Sequence, residues 1–226
     1  MGRITIETIG YIENNYKEKF GIPRQSGLSE SVISKIVFDD EYKDPNYFKG
    51  IEEFSHIWLI WYFSDVNKKH IKPTVRPPKL GGNKRVGVFA SRSPFRPNRI
   101  GISCVKLIKA DYGYKKITLY VTGADLMDGT PIYDIKPYVK YADCRPHATC
   151  GYVDSLPERR LKVVIPSEIS ASVTDKTIMS SLVEVLSLDP RPSYHDDSSR
   201  IYGLSFGGYN VRFKVEDGVL TVVGIE

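Results

Sequence analysis

The sequence predicts a mainly β protein, an N-terminal β-barrel followed by a small α+β C-terminal domain. Three observations carry this expectation. Before residue 140 the chain is a series of short runs rich in β-branched and aromatic residues, separated by loops dense in Gly and Pro, with almost no helical periodicity. Beyond it stands one convincing amphipathic helix, followed by three strand-like segments. Nowhere does a strand lead through a glycine fingerprint into a helix: neither Leu80-Gly81-Gly82 nor Gly207-Gly208 has those flanks, which speaks against a P-loop or a Rossmann unit. The irregular connector 143–160, with Pro146, Gly151 and Pro157, is where a boundary is expected, giving domains of residues 1–145 and 146–226.

Taken in order, residues 4–13 (ITIETIGYIE) alternate loosely and read as a strand, and 14–28 form a loop with Gly21, Pro23 and Gly27. Residues 32–38 (VISKIVF) form a second strand. Residues 53–63 (EFSHIWLIWYF) are apolar on both faces for much of their length, so this strand is expected to be central and covered on both sides. Residues 85–90 (RVGVFA) are a short strand, and 100–108 with 116–122 form an antiparallel pair. Residues 125–138 (DLMDGTPIYDIKPY) read as a loop. In the C-terminal part, 161–165 are strand-like and 172–188 are helical, with Ile178, Leu182, Val185 and Leu186 on one face. Ser172 or Thr174 is expected to cap that helix, and Asp189-Pro190 to stop it. RIYGLSF, YNVRFKV and GVLTVVGI complete the chain as strands, the last two turning at Glu216-Asp217-Gly218.

With 226 residues, 41% hydrophobic and 26% charged, the composition is that of an ordinary globular protein and excludes a disordered chain. The first ten residues lack the basic-then-apolar plan of a signal peptide, and the longest apolar run, IWLIWYF, is far too short to span a bilayer. Three cysteines with no CxxC pair fit a reducing cytoplasm. Charge is the informative feature. From Asn67 to Ala110 there is no Asp or Glu, against twelve Lys and Arg, although the whole chain carries only +5. Prolines and glycines hold this stretch in loop geometry, and a polyanion such as a nucleic acid is the natural partner.

Other signals are weaker. Cys144, His147 and Cys150 offer three ligands where a structural zinc wants four, and three consecutive side chains at His195-Asp196-Asp197 do not converge on one ion, so no metal is expected. His56 reads equally as a core-edge histidine or a site residue. Asp125, Asp128 and Asp134 read equally as turn-capping residues or as carboxylates facing the basic stretch.

Several segments carry a more specific message. PRQSGL (23–28), FSHIW (54–58), RPPKLGGNKRVGVFASRSPFRPNRIG (76–101) and DGTPIYDIKPY (128–138) closely resemble the TrmO family, as do LDPRPSY (188–194) and FGGYNVRFKV (206–215). One departure is visible: Asn98-Arg99-Ile100-Gly101 stands where the family has Asn-Pro-Ile-Gly, which adds a charge and frees the backbone.

The resemblance implies a non-Rossmann β-barrel methyltransferase that uses S-adenosyl-L-methionine and acts as a homodimer. Its implied substrate is tRNA bearing N6-threonylcarbamoyladenosine beside the anticodon, methylated at N6. By family position, Pro23, Arg24 and Gln25 form one wall of the cofactor pocket and Ser64 with Asp65 another. Arg92 pairs with the cofactor carboxylate, Ile102 packs on its adenine, and Gly129, Thr130, Pro131 and Ile132 offer backbone groups. Asp128 and His56 are candidates for a base, with positioning alone as the alternative. Arg76, Lys79, Lys84, Arg96, Arg99 and Arg191 are expected to face tRNA. Three other readings stand beside this one: a module that binds cofactor or RNA without methyl transfer, an RNA-binding barrel without a cofactor, and a related methyltransferase with another substrate.

Overall fold

In the computed structural model, residues 4–66, 71–77, 80, 84–155, 160–192 and 197–226 are described. The N-terminal part is a closed barrel of six strands: β1 (Gly10–Glu13), β2 (Ile33–Phe38), β3 (His56–Tyr62), β6 (Ile100–Tyr112), β7 (Ile117–Thr122) and β8 (Pro131–Pro137). They follow one another around the barrel as β1-β2-β7-β6-β3-β8, and β8 closes back on β1 through Ile132 opposite Gly10. A separate two-residue ladder, β4 (Thr74–Val75) with β5 (Val86–Gly87), rides on the basic stretch.

Alternation explains why these segments close. Along β3, Ile57, Leu59 and Trp61 are buried while Trp58, Ile60 and Tyr62 are half-exposed, so one side of a period-2 strand fills the barrel. With Ile12, Ile36, Val105, Leu119 and Ile132 these inward residues form one core; each fully buried aliphatic side chain contributes about 1.5–3 kcal/mol. β3 is therefore central but not covered by a second layer. Its outer face is shielded by aromatic neighbours, Trp58 against Tyr138 and Tyr62 against Tyr133.

The segment 125–138 corrects the expectation of a loop, because its second half is the closing strand. Pro131 and Pro137 disguise it, but they stand at its first and last positions, where a missing N–H costs the ladder little. Only four residues of 4–13 join the barrel, and Ile4 and Ile6 remain exposed. RVGVFA is likewise not a barrel strand: it gives two ladder residues and then a 3-10 turn, Val88–Ala90.

In the C-terminal part, β9 (Lys162–Val164) lies parallel to β12 (Val219–Ile225), which pairs with β11 (Tyr209–Glu216) and then β10 (Tyr202–Phe206). Short helices α1 (Lys140–Asp143) and α2 (Ser167–Ser170) precede the main helix α3 (Lys176–Ser187). The cap of α3 is Asp175, which accepts from the N–H groups of Thr177 and Ile178. Ser172 is spent differently, its hydroxyl donating to Ile169 O behind α2. The hairpin turns at Asp217 and Gly218, both at positive φ (48° and 77°), as a tight two-residue turn requires.

Leu182, Val185 and Leu186 of α3 pack on Leu204, Phe206, Phe213 and Val222 of the sheet. Tyr16 and Val32 from the loops flanking β1 and β2 join this second core. The junction is also polar. The Glu184 carboxylate accepts from Ser29 Oγ at 3.0 Å, Glu30 N at 3.1 Å and Ser31 N at 2.9 Å, and from Ser31 Oγ. Burial raises its pKa, but these bonds to the ionised form outweigh burial and leave it below the ordinary glutamate value.

Candidate active site

A cavity of about 790 Å³ opens where β3 ends and β6 begins, a volume that suits a cofactor-sized ligand. Its floor is built from the inward face of these two strands. Trp61 and Ser103 are diagonal neighbours on that face, since Trp61 pairs with Gly101 and Leu59 with Ser103. The indole lies flat against β6 because Gly101 has no side chain: a Cβ there would stand 2.3 Å from the Trp61 ring. Trp61 Nε1 donates to Ser103 Oγ at 2.9 Å, and Ser103 Oγ donates onward to Asp125 Oδ1. Asp125 is thereby aimed into the cavity, which it lines. Burial pushes its carboxyl up from the usual range, only partly opposed by the Ser103 hydrogen bond, the Arg92 charge and the Ser26 N–H. Gly101→Ala is expected to displace the indole and weaken cofactor binding about tenfold or more, with the barrel still folded; titration of S-adenosylmethionine, checked against circular dichroism, measures both.

Another part of the lining is a relay of side chains. Arg92 Nη1 donates to Gln25 Oε1 at 2.7 Å, Gln25 Nε2 to Arg24 O at 2.6 Å, and Arg24 Nη2 to Arg191 O at 2.9 Å. At the rim, Lys19 Nζ meets both the Asp65 carboxylate and the Asp65 carbonyl at 2.7 Å. Phe63, Phe95, Ile102 and Met127 supply apolar surface. The cavity thus offers cations on one wall, a recessed carboxylate on the floor and flat apolar surface between them. That donor set fits S-adenosylmethionine, which carries a carboxylate, an ammonium and a sulfonium on a purine nucleoside.

Pro23, Arg24, Gln25, Ser64, Asp65, Arg92, Ile102 and Thr130 all line this cavity, brought together from separate stretches of the chain. Gly129, Pro131 and Ile132 are not among the lining residues: the Gly129 N–H is engaged by Ile12 O at 2.8 Å, Pro131 opens β8, and Ile132 sits in the barrel core. The Thr130 N–H is also taken, by Met127 O at 3.1 Å.

Neither expected base stands in the cavity. Asp128 accepts from Asn14 N through one oxygen and from Lys17 Nζ through the other, as a turn anchor does. His56 is at the far end of β3, six residues from Tyr62 and so about 20 Å away along the strand; its ring meets Ser55 Oγ and the edge of Tyr138. Of the residues expected to face tRNA, Arg76 and Lys84 are exposed, and Lys79 lies outside the described residues. Arg96 lines the cavity.

Arg99, expected to face tRNA, is recessed instead of solvent-facing. It is 7% exposed, its guanidinium lying over the Tyr62 ring at 4.6 Å and donating to Val66 O. Its φ of 45° is one that proline cannot adopt, so the departure from Asn-Pro-Ile-Gly reshapes this turn. Arg191 is also committed, bidentate to Asp189 at 2.9 and 3.0 Å with a side chain only 13% exposed.

Asp125, which reads from sequence equally as a turn cap or as a carboxylate facing the basic stretch, lies at the cavity; Trp61, Ser103 and Met127 are among the site residues that sequence reasoning did not single out. A usable signal existed for one of them: Ser103 is a lone hydroxyl on the inward, apolar face of β6, between Gly101 and Val105.

Comparison with known proteins agrees with this arrangement. The family described as tRNA-methyltransferase O N-terminal domain matches residues 11–144, and the TrmO C-terminal domain matches residues 158–226. A tRNA (adenine(37)-N6)-methyltransferase of Escherichia coli K12 is 37% identical, with 100% of this chain and 99% of that protein covered. The Eikenella corrodens protein of the same name is 40% identical over 76% of this chain and 97% of its own length. A Pseudomonas aeruginosa protein described, provisionally, as an S-adenosylmethionine-dependent methyltransferase is 34% identical over 92% of this chain and 91% of its own. The crystal structure of TrmO from P. aeruginosa superposes with a TM-score of 0.82 at 28% identity, covering 100% of this chain and 98% of that one. With both of its parts matched and its full length aligned to a relative, the chain belongs to the TrmO family.

Proposed function

We propose that this protein transfers a methyl group from S-adenosylmethionine to N6 of threonylcarbamoyladenosine beside the anticodon of tRNA, at the position for which its relatives are named, adenine 37. The observation that carries the reading is the barrel-mouth cavity, lined by a recessed Asp125, by Arg92 and Arg24, and by aromatic and aliphatic surface. The names of its relatives support the same reading.

What S-adenosylmethionine supplies there is a methyl carbon already activated by a cationic sulfur. The chain's own residues have three tasks. Arg92, held by Gln25, presents a guanidinium to a ligand carboxylate. Trp61, Phe63 and Ile102 enclose the purine and exclude water, fixing the geometry of approach. Asp125 receives the acceptor's N6 proton on its carboxylate; burial makes it a stronger base than an ordinary aspartate, and the Trp61–Ser103 relay keeps it oriented. The acceptor needs such help, because its nitrogen lone pair is drawn into the purine and the carbamoyl carbonyl.

On this reading residues 1–145 form the catalytic barrel and 146–226 the accessory domain; a barrel core distinct from the α3–sheet core supports the division, although Tyr16 and Val32 reach across it into the second core. The protein works as a cytoplasmic homodimer. Among the described residues no helix is long and apolar enough to cross a membrane.

The test is transfer of labelled methyl to two tRNA pools, one carrying the threonylcarbamoyl group and one from cells unable to install it. Label in the modified pool alone is the expected result. Label in both pools would overturn the substrate, and label in neither, with cofactor still bound, would overturn the enzyme.

A further inference from the structure

A second cavity, of about 980 Å³, adjoins the first. The two share a wall made of Arg24, Gln25, Arg92, Pro94 and Phe95, so the Arg92–Gln25 hydrogen bond stands between them. Its electrostatics differ from those of the first. Arg24, Lys72, Arg76, Arg85 and Arg92 line it, and no acidic residue does among those described. Arg85 donates only to the neutral Thr74 hydroxyl, and Lys72 lies 5.7 Å over the Phe95 ring. Arg76 is exposed and has no partner among the described residues. Arg92 shares the field of Asp125 in the first cavity, but Lys72, Arg76 and Arg85 meet no acidic residue among those lining the second, and cations so gathered repel one another unless an anion enters. On the lip stands Phe89, 79% exposed, an aromatic face with nothing stacked on it among the described residues. Its exposure follows from the 3-10 turn Val88–Ala90, which buries Val88 and turns the next side chain outward.

An exposed aromatic ring beside recessed guanidinium groups suits a flat base bearing a negative charge. Single-stranded bases splayed from RNA are recognised in this way, by stacking and by contacts to their edges. A bare phosphate backbone needs cations along a ridge and gains nothing from a recess with an aromatic lip.

We propose that this second cavity is the acceptor site: Phe89 stacks on the adenine, and Arg76 and Arg85 bind the carboxylate at the end of its N6 substituent. The inference rests on the methyl-transfer reading above and adds how the substituent is recognised. The shared wall then sets N6 against the donor cavity, with Arg92 serving both ligands. Unmodified adenosine lacks the charge, leaves the guanidinium groups unpaired, and is rejected for that reason.

The experiment is a binding titration of the full chain, saturated with S-adenosylhomocysteine, using the nucleoside N6-threonylcarbamoyladenosine and its methyl ester, in which one added methyl group removes the negative charge. The free acid is expected to bind about tenfold tighter than the ester, the worth of one charged hydrogen-bonded contact. In the Arg76→Gln/Arg85→Gln variant that ratio is expected to fall to about two or less. Phe89→Ala should weaken acid and ester alike. Affinity for S-adenosylmethionine, measured on each preparation before S-adenosylhomocysteine is added, should remain unchanged and shows that each variant is folded. Equal binding of acid and ester to the parent protein, binding of neither, or a ratio untouched in the double variant would each overturn the proposal. Charge discrimination without methyl transfer to modified tRNA would leave this site standing and remove the enzymatic reading. Methyl transfer without charge discrimination would do the reverse.

Discussion

Asp125→Asn is expected to lower kcat on modified tRNA by about 10²–10⁴-fold, the usual contribution of a positioned acid–base group, while KM for S-adenosylmethionine changes little. The substitution keeps shape and removes only the capacity to take a proton. The pH profile distinguishes this from lost geometry. Burial raises the Asp125 pKa, so the parent enzyme should lose activity as pH falls through a value above the ordinary aspartate range of about 3.9, and the variant's residual rate should lack that limb. Stability should move the opposite way. A carboxyl whose folded pKa lies above its unfolded one favours the fold at low pH and loses that contribution as pH rises through the folded value, so at pH 7 the ionised Asp125 is a cost. The neutral amide of the Asp125→Asn variant carries no such cost, and its melting temperature at pH 7 should equal or exceed that of the parent. A variant that loses activity and stability together would point to a structural role instead. Ser103→Ala should give a smaller loss of rate and shift the acid limb, because Ser103 acts only through Asp125.

The barrel was legible because its strands obey a simple rule. Ile57, Leu59 and Trp61 in β3 and Ser103 and Val105 in β6 alternate inward, and no charged side chain interrupts that face. β8 was not legible, because its terminal prolines and central Asp134 carry loop signals. The ladder to β1 and β3 overrides them, and a single sequence does not display long-range pairing.

The site shows the same divide. Its loop residues stood out by composition and resemblance, but side-chain direction did not. Asp125 and Asp128 lie three residues apart in one motif, and bonds from distant Asn14 and Lys17 decide which of them is engaged as an anchor. Arg99 looked like one more member of a basic run. A positive φ turns it under the cavity wall, onto Tyr62, where a proline could not follow.

Glu184→Ala is expected to lower stability by about 2–3 kcal/mol, or roughly 5–10 °C in melting temperature. Four hydrogen bonds converge on that carboxylate, and partial solvation keeps their sum below four full charged bonds. The sign of the pH dependence follows from the direction of its shift. A carboxylate with a depressed folded pKa contributes stability above the ordinary glutamate value of about 4.3 and loses it as pH falls through the folded one. The gap between the parent and Glu184→Gln should therefore be full at pH 7, hold down to about pH 4.3 and shrink only as pH falls further; a gap that persists below the folded value would assign the loss to packing. The consequence reaches the cofactor. Residues 29–31 are the near end of the loop that carries Pro23, Arg24 and Gln25, and Arg24 ties that same loop to Arg191 O. Helix α3 and the 189–191 turn thus hold one wall of the cavity from outside the barrel. Freeing the Glu184 end should raise KM for S-adenosylmethionine several-fold while kcat at saturation stays within about twofold, since Asp125 and its relay belong to the barrel itself. A fall in kcat as large as that of Asp125→Asn would mean that the C-terminal part shapes the reacting groups as well as the wall.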